Sequence, residues 1–241
     1  MKLIIAKNYE EMSGIAAEII AETVRNVKNP VLGLATGSTP IGTYDLLKSF
    51  FAQKKLSFKN VRTVNLDEYV GLDGNDSQSY VKFMRDHLFD AVDLPQENVN
   101  IPNGKAADLE MECKRYGKIV SQNVCDLQVL GLGGNGHIGF NEPNTPFDSV
   151  THVVRLASNT VKDNSRFFDD VSLVPTHAIT MGISEIMRAK KILLLVSGAN
   201  KADVLAKALC GEVSESCPAS ILQTHPDCVV VADEAAASKI R

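Results

Sequence analysis

Leu130-Gly131-Leu132-Gly133-Gly134-Asn135-Gly136-His137-Ile138-Gly139-Phe140-Asn141-Glu142-Pro143 is the stretch on which the reading of this chain turns. An apolar run from Leu127 to Leu132 leads into it and predicts a buried strand, which the glycines at 131, 133, 134, 136 and 139 end in a turn. Glycine permits backbone conformations that side chains forbid and lets another group approach closely. The turn thereby presents Asn135, His137 and Glu142. Histidine ordinarily titrates nearest neutrality, and a carboxylate five residues on is placed to orient it or to hold it protonated. This is the outline of an acid/base site, although the turn read alone is equally compatible with a plain loop. Residues 131–136 match G-x-G-x-x-G, but dinucleotide binding also needs a helix at once and an acidic residue about 20 positions later. Phe140 to Pro143 reads as more loop, so no dinucleotide is expected. The His137 to Glu142 spacing is not that of a His-Glu-x-x-His helix, so no metal is expected either.

Outward from this turn, apolar runs alternate with helical spacing. Strands are expected at Lys2–Ala6, Val31–Ala35, Val61–Leu66, Val99–Ile101, Thr151–Leu156, His177–Met181, Lys191–Val196 and Val229–Ala232, the last closing the sheet. Between them fall helices from Tyr9 to about Val27, Ile41 to Phe50, Ser77 to Leu88, Ala106 to Ser121, Val161 to Phe168, Ser184 to Ala189, Lys201 to Leu209 and Glu234 to Ile240. The alternation predicts an α/β fold, and with no repeat or linker the whole of 1–241 is expected as one domain.

Four expected strand ends carry polar residues. Thr36-Gly37-Ser38-Thr39-Pro40 turns one strand into a helix, with Pro40 placed at the first helical position, and such a turn offers an anion a positive helix end flanked by hydroxyls. Asp67-Glu68-Tyr69 reads as loop just past another strand. Lys201 stands at a helix start, where a cation opposes the helix dipole unless an anion lies there too. The irregular stretch 148–174 is a lid candidate, and its Arg166 suits a bidentate grip on phosphate. Parallel α/β sheets gather ligands at the C-terminal ends of their strands. Hydroxyls, amides and cations for a phosphate, facing a carboxylate base and a histidine/carboxylate pair, point to a phosphorylated sugar undergoing proton transfer at carbon.

Composition narrows the partners. The net charge is −4 with no run of Lys and Arg, which argues against nucleic acid or an anionic membrane. Glu10, Glu11 and Glu18 interrupt what would have to be a signal peptide, no segment is long enough to span a bilayer, and a cytoplasmic location is expected. The 5 cysteines include no C-x-x-C pair and read as reduced thiols.

Taken together, the motifs resemble the glucosamine-6-phosphate deaminases nearly end to end. They are residues 32–40, 66–72, 136–143, Asn164-Ser165-Arg166-Phe167-Phe168 and Ser197-Gly198-Ala199-Asn200-Lys201. The resemblance implies a Rossmann-like fold, doubly wound with a mainly parallel sheet and helices on both faces, no cofactor, and conversion of glucosamine 6-phosphate and water to fructose 6-phosphate and ammonia. It further implies that His137 opens the sugar ring, oriented by Glu142 and Asn135, that Asp67 moves the C2 proton to C1, and that Thr36, Gly37, Ser38 and Thr39 with Arg166 and Lys201 hold the phosphate. Two departures stand out. Well-known bacterial members of the family carry Asp where this chain has Asn135. Hexameric members activated by N-acetylglucosamine 6-phosphate carry a longer C-terminal tail, so neither hexamer nor activation is carried over, and monomer and homo-oligomer both stay open. The related 6-phosphogluconolactonases, or a non-catalytic sugar-phosphate sensor, are the alternatives; the motifs at 67–69 and 140–143 favour the deaminase.

Overall fold

The computed structural model describes residues 1–165, 168, 170 and 173–240. Strand β1 (Lys2–Ala6) leads to Asn8, whose side-chain oxygen accepts the Glu11 N–H at 2.9 Å and starts helix α1 (Tyr9–Asn26). Met12, Ala16, Ala17 and Ile20 recur on the buried face of α1, as the helical spacing predicts. There follow β2 (Val31–Leu34), α2 (Ile41–Ala52), β3 (Arg62–Asn65), β4 (Asp67–Tyr69), α3 (Tyr80–His87), β5 (Val99–Asn100) and α4 (Leu109–Gln122). The second half holds β6 (Leu127–Gly131), β7 (His152–Arg155), α5 (Ser158–Asn164), β8 (His177–Thr180), α6 (Ile183–Ile186), β9 (Ile192–Val196), α7 (Ala202–Cys210), β10 (Cys228–Asp233) and α8 (Glu234–Ala237).

Seven strands form a parallel sheet in the order β1-β10-β9-β6-β2-β3-β5. From β2 the chain steps outward to β3 and β5, then returns to β6 on the other side of β2 and steps the opposite way. The fold is therefore the doubly wound α/β type, and the loops leaving β2 and β6 diverge at its switch point, where such sheets open a crevice. β9 is buried along its whole length and β6 nearly so, the unbroken apolar pattern of strands covered on both faces. Each such Leu, Ile or Val removed from water contributes about 1.5–3 kcal/mol before chain entropy is set against it.

Several expectations are corrected. Asp67-Glu68-Tyr69 is not loop but strand β4, the edge of a second, antiparallel sheet ordered β4-β8-β7. Three residues are too few to show a period, and the pairing partners, Thr180, Ile179 and Ala178, are distant in sequence. The Met181 N–H to Leu66 carbonyl bond, 2.7 Å, joins this small sheet to the large one between β3 and β4. β10 does not close the sheet; it lies between β9 and β1, because its six residues are all buried and pair on both sides. Pro40 is the residue before the first turn of α2, α4 begins only after its Asp108 cap, and α5 starts earlier than the apolar pattern suggests. Among the described residues no helix is long and apolar enough to cross a membrane.

Candidate active site

The loops leaving β2, β6 and β9, together with the first residue of β4, surround one cavity of about 510 Å³. Thr36, Gly37, Ser38, Thr39, Asp67, His137 and Lys201 all line it, so these seven of the expected site residues meet in space. Asn135 and Glu142 stand behind His137. Arg166 lies outside the described residues. Two larger cavities, about 820 Å³ at the C-terminal ends of α1 and α2 and about 810 Å³ between α4 and β7, contain none of these residues.

His137 is placed by a chain of polar contacts whose direction chemistry fixes. Glu142 as a carboxylate only accepts, so the Asn135 amide must turn its NH₂ toward Glu142 Oε2, 2.7 Å away. The Asn135 Oδ1 then faces His137 Nδ1 at 2.8 Å and also accepts the His137 backbone N–H at 3.2 Å. A neutral ring consequently carries its proton on Nδ1 and leaves Nε2 as the base. Glu142 thus acts on the histidine mainly through Asn135, its own oxygen lying 3.6 Å from Nδ1. On its other oxygen Glu142 accepts the Thr160 hydroxyl at 2.6 Å and the Ala157 N–H at 3.0 Å. Burial opposes its charge, but the pull of nearby His137 and the bonds from Thr160 and Asn135 outweigh this and hold the carboxyl down at about 2. The ring also needs the glycine beneath it: a side chain on Gly133 would begin 2.3 Å from imidazole atoms.

Asp67 is the opposite case. It is buried, and first that burial and then the neighbouring Glu68 charge raise its proton affinity well above the ordinary aspartate range. It is the sole carboxylate on the cavity wall among the described residues, facing Lys201, Lys162 and His137. Opposite charges around one acid suit an anionic ligand.

The loop at 36–39 is tied from outside. Tyr9, in the first turn of α1, donates its hydroxyl to the Ser38 carbonyl at 3.2 Å and accepts the Gly42 N–H at 2.8 Å. Gly42 is required for that approach, since a β-carbon there would meet Ser13 Oγ at 2.7 Å and Tyr9 ring carbon at 3.0 Å. The Lys201 loop is anchored by Asp233 on β10, which accepts Ser197 Oγ at 2.5 Å, the Gly198 N–H at 3.0 Å and, with its other oxygen, the Ala236 N–H at 2.7 Å.

Five polar wall residues receive no role in a reading of the sequence alone: Tyr80, Thr160, Lys162, Ser197 and Asn200. Thr160 and Lys162 sit within the stretch read as a lid, and a helical position beside Asn164-Ser165-Arg166 is the one signal that points to them. Tyr80 is an ordinary member of the apolar face of α3 until the fold turns it toward the cavity. Among the described residues, no group of three or more His, Cys, Asp or Glu side chains is arranged to hold a metal ion.

Comparison with known proteins finds relatives along nearly the whole chain. Residues 7–231 match the family model for glucosamine-6-phosphate isomerases/6-phosphogluconolactonase. The chain is 52% identical over 241 residues to a glucosamine-6-phosphate deaminase of Oceanobacillus iheyensis, covering 100% of this chain and 96% of the relative. It is 51% identical over 232 residues to that of Lachnoclostridium phytofermentans, covering 96% and 98% of the two chains. A solved structure described as a monomeric glucosamine-6-phosphate deaminase superposes with a TM-score of 0.98 at 49% identity, covering 99% of this chain and 100% of that one. The 6-phosphogluconolactonase of Trypanosoma brucei, at 19% identity and a TM-score of 0.80 with 100% and 98% covered, shares the fold.

Proposed function

The chain belongs to the glucosamine-6-phosphate isomerase/6-phosphogluconolactonase family, and from that premise we propose that it converts glucosamine 6-phosphate and water to fructose 6-phosphate and ammonia. The observation that carries this is the division of labour in the cavity: a buried carboxylate of raised proton affinity at Asp67, and a histidine at 137 held through Asn135 by an ionised Glu142. Ring opening needs a group that takes the proton of the anomeric hydroxyl and returns one to the ring oxygen, a task for Nε2 of His137. Asp67 then removes the C2 proton and delivers it to C1, which turns the aldose into a ketose imine at C2. Water hydrolyses the imine and releases ammonia.

Ser38 and Thr39, with Thr36, Gly37 and Lys201, hold the phosphate, and Arg166 joins them by its place in the family motif. Helix α5, within the stretch 148–174 expected as a lid, covers one side of the cavity, a reading supported by the Thr160 bond to Glu142 and by Lys162 on the wall; residues 166, 167, 169, 171 and 172 of that stretch lie outside the described residues. A phosphorylated sugar does not cross membranes unaided, which favours a cytoplasmic site of action. The competing lactonase reaction needs an activated water but no base at carbon, so a buried Asp67 favours the deaminase.

A coupled assay of ammonia and fructose 6-phosphate from glucosamine 6-phosphate tests the reaction, with 6-phosphogluconolactone as the alternative substrate. Hydrolysis of the lactone without ammonia release would reverse the assignment. Asp67→Asn should keep binding of a substrate analogue while losing about 10²-fold or more in rate and in deuterium exchange at C2.

A further inference from the structure

Glu68 takes no part in the chemistry above, yet the residue is 1% exposed and three backbone amides point at its carboxylate. Its Oε1 accepts the N–H groups of Tyr69 at 2.8 Å and Tyr80 at 2.9 Å, and its Oε2 accepts that of Val81 at 3.0 Å. Tyr80 and Val81 open α3, and Ser79 Oγ accepts the next amide, Lys82, at 3.1 Å. Glu68 and Ser79 therefore cap the first turn of α3 between them. Glu68 also shares a peptide unit with Asp67, and the helix it caps brings Tyr80 to the cavity wall. Displacing this carboxylate breaks amide bonds at the start of α3 and at Tyr69 of β4, the two elements that carry Tyr80 and Asp67.

We propose that Glu68 is a positioning residue for the reaction: it fixes Tyr80 and Asp67, the base toward carbon, relative to one another. This rests on Asp67 being that base. Burial pushes Glu68 up to about 7 against the pull of its three amide bonds, and its charge is the second cause, after burial, of the raised affinity of Asp67. The other titratable groups around the pair are Tyr69 of β4, Tyr80 of α3, Asp76 of the loop before α3 and Tyr116 of α4, with His137, Lys162 and Lys201 on the cavity wall. A capping role alone would be met as well by a neutral acceptor. The charge matters because abstraction from carbon needs a base of high proton affinity.

The test is turnover and C2 deuterium exchange against pH in wild type, Glu68→Gln, Glu68→Asp, Ser79→Ala and Asp67→Asn. Glu68→Gln should lower kcat about tenfold with little change in KM, and should move the acid limb about one pH unit lower as Asp67 loses its like-charged neighbour. Glu68→Asp keeps the charge and the position of that limb while melting at lower temperature, because the shorter arm reaches fewer amides. Ser79→Ala weakens the cap and leaves the limb in place. A Glu68→Gln protein that melts lower but keeps its kcat and acid limb would reduce Glu68 to a helix cap. A shift of equal size in Ser79→Ala would do the same. Should Glu68→Gln not fold, carboxyl-carbon NMR of the wild type decides: Asp67 should titrate in two steps that follow Glu68, and independent single steps overturn the idea. If Asp67→Asn exchanges the C2 proton normally, the base assignment itself falls. If that exchange is lost while Glu68→Gln behaves as wild type, only the present inference falls.

Discussion

Asn135 works as a relay because it has both a donor and an acceptor to offer. Its NH₂ is committed to Glu142 at 2.7 Å and its oxygen to His137 at 2.8 Å. Asn135→Asp would set a second carboxylate against Glu142, and the two negative charges are relieved if the imidazole beside them holds a proton. The histidine-dependent limb of the turnover profile should then move to higher pH, read together with an NMR titration of the ring; if neither moves, residue 135 only shapes the turn. Glu142 itself yields a stability prediction. Its folded-state value, about 2, lies below the ordinary 4.5, so its stabilisation is present above 4.5 and lost as pH falls toward 2. Glu142→Gln should remove on the order of 2 kcal/mol of that acid dependence, measured by denaturation at pH 6 and pH 3. His137, Asn135 and Glu142 are legible in the sequence because one glycine-rich turn carries all three. Thr160 is not, since it reaches Glu142 from 18 residues away through the approach of α5.

Elements, more than single side chains, shape the end of the cavity proposed to hold the phosphate. α1 reaches the 36–39 loop through Tyr9, whose hydroxyl ties Ser38 to the start of α2. Tyr9→Phe should raise KM for the sugar phosphate several-fold and leave kcat nearly unchanged, because the loop loses about one hydrogen bond's worth of order. An equal fall in kcat would show that Tyr9 reaches the chemistry. On the opposite loop, Lys201→Ala should weaken sugar phosphates far more than the unphosphorylated sugar, the lost contact being charge-assisted; calorimetry with both ligands decides. The parallel strands are legible as apolar runs, whereas β4 is hidden. Its acidic pair looks solvent-facing until β8 supplies the pairing and α3 supplies amides to Glu68.

At the scale of the whole molecule, the cavity sits where two sheets meet: β2, β6 and β9 send loops to it from the parallel sheet, and β4 sends Asp67 from the antiparallel one. The doubly wound plan follows from alternating periods and predicts a crevice between β2 and β6. The second sheet does not, because its three strands are short and lie far apart along the chain. Asp233 adds a dimension of time. The loop that carries Lys201 is held by a carboxylate 36 residues beyond Ser197, on a strand that must insert between β9 and β1, the first strand of the chain. Long-range parallel pairing is slow to form. Catalytic competence is thus a clock for the last event of assembly: in a refolding experiment the far-ultraviolet helix signal should return first and sugar-phosphate binding only when β10 has found its slot.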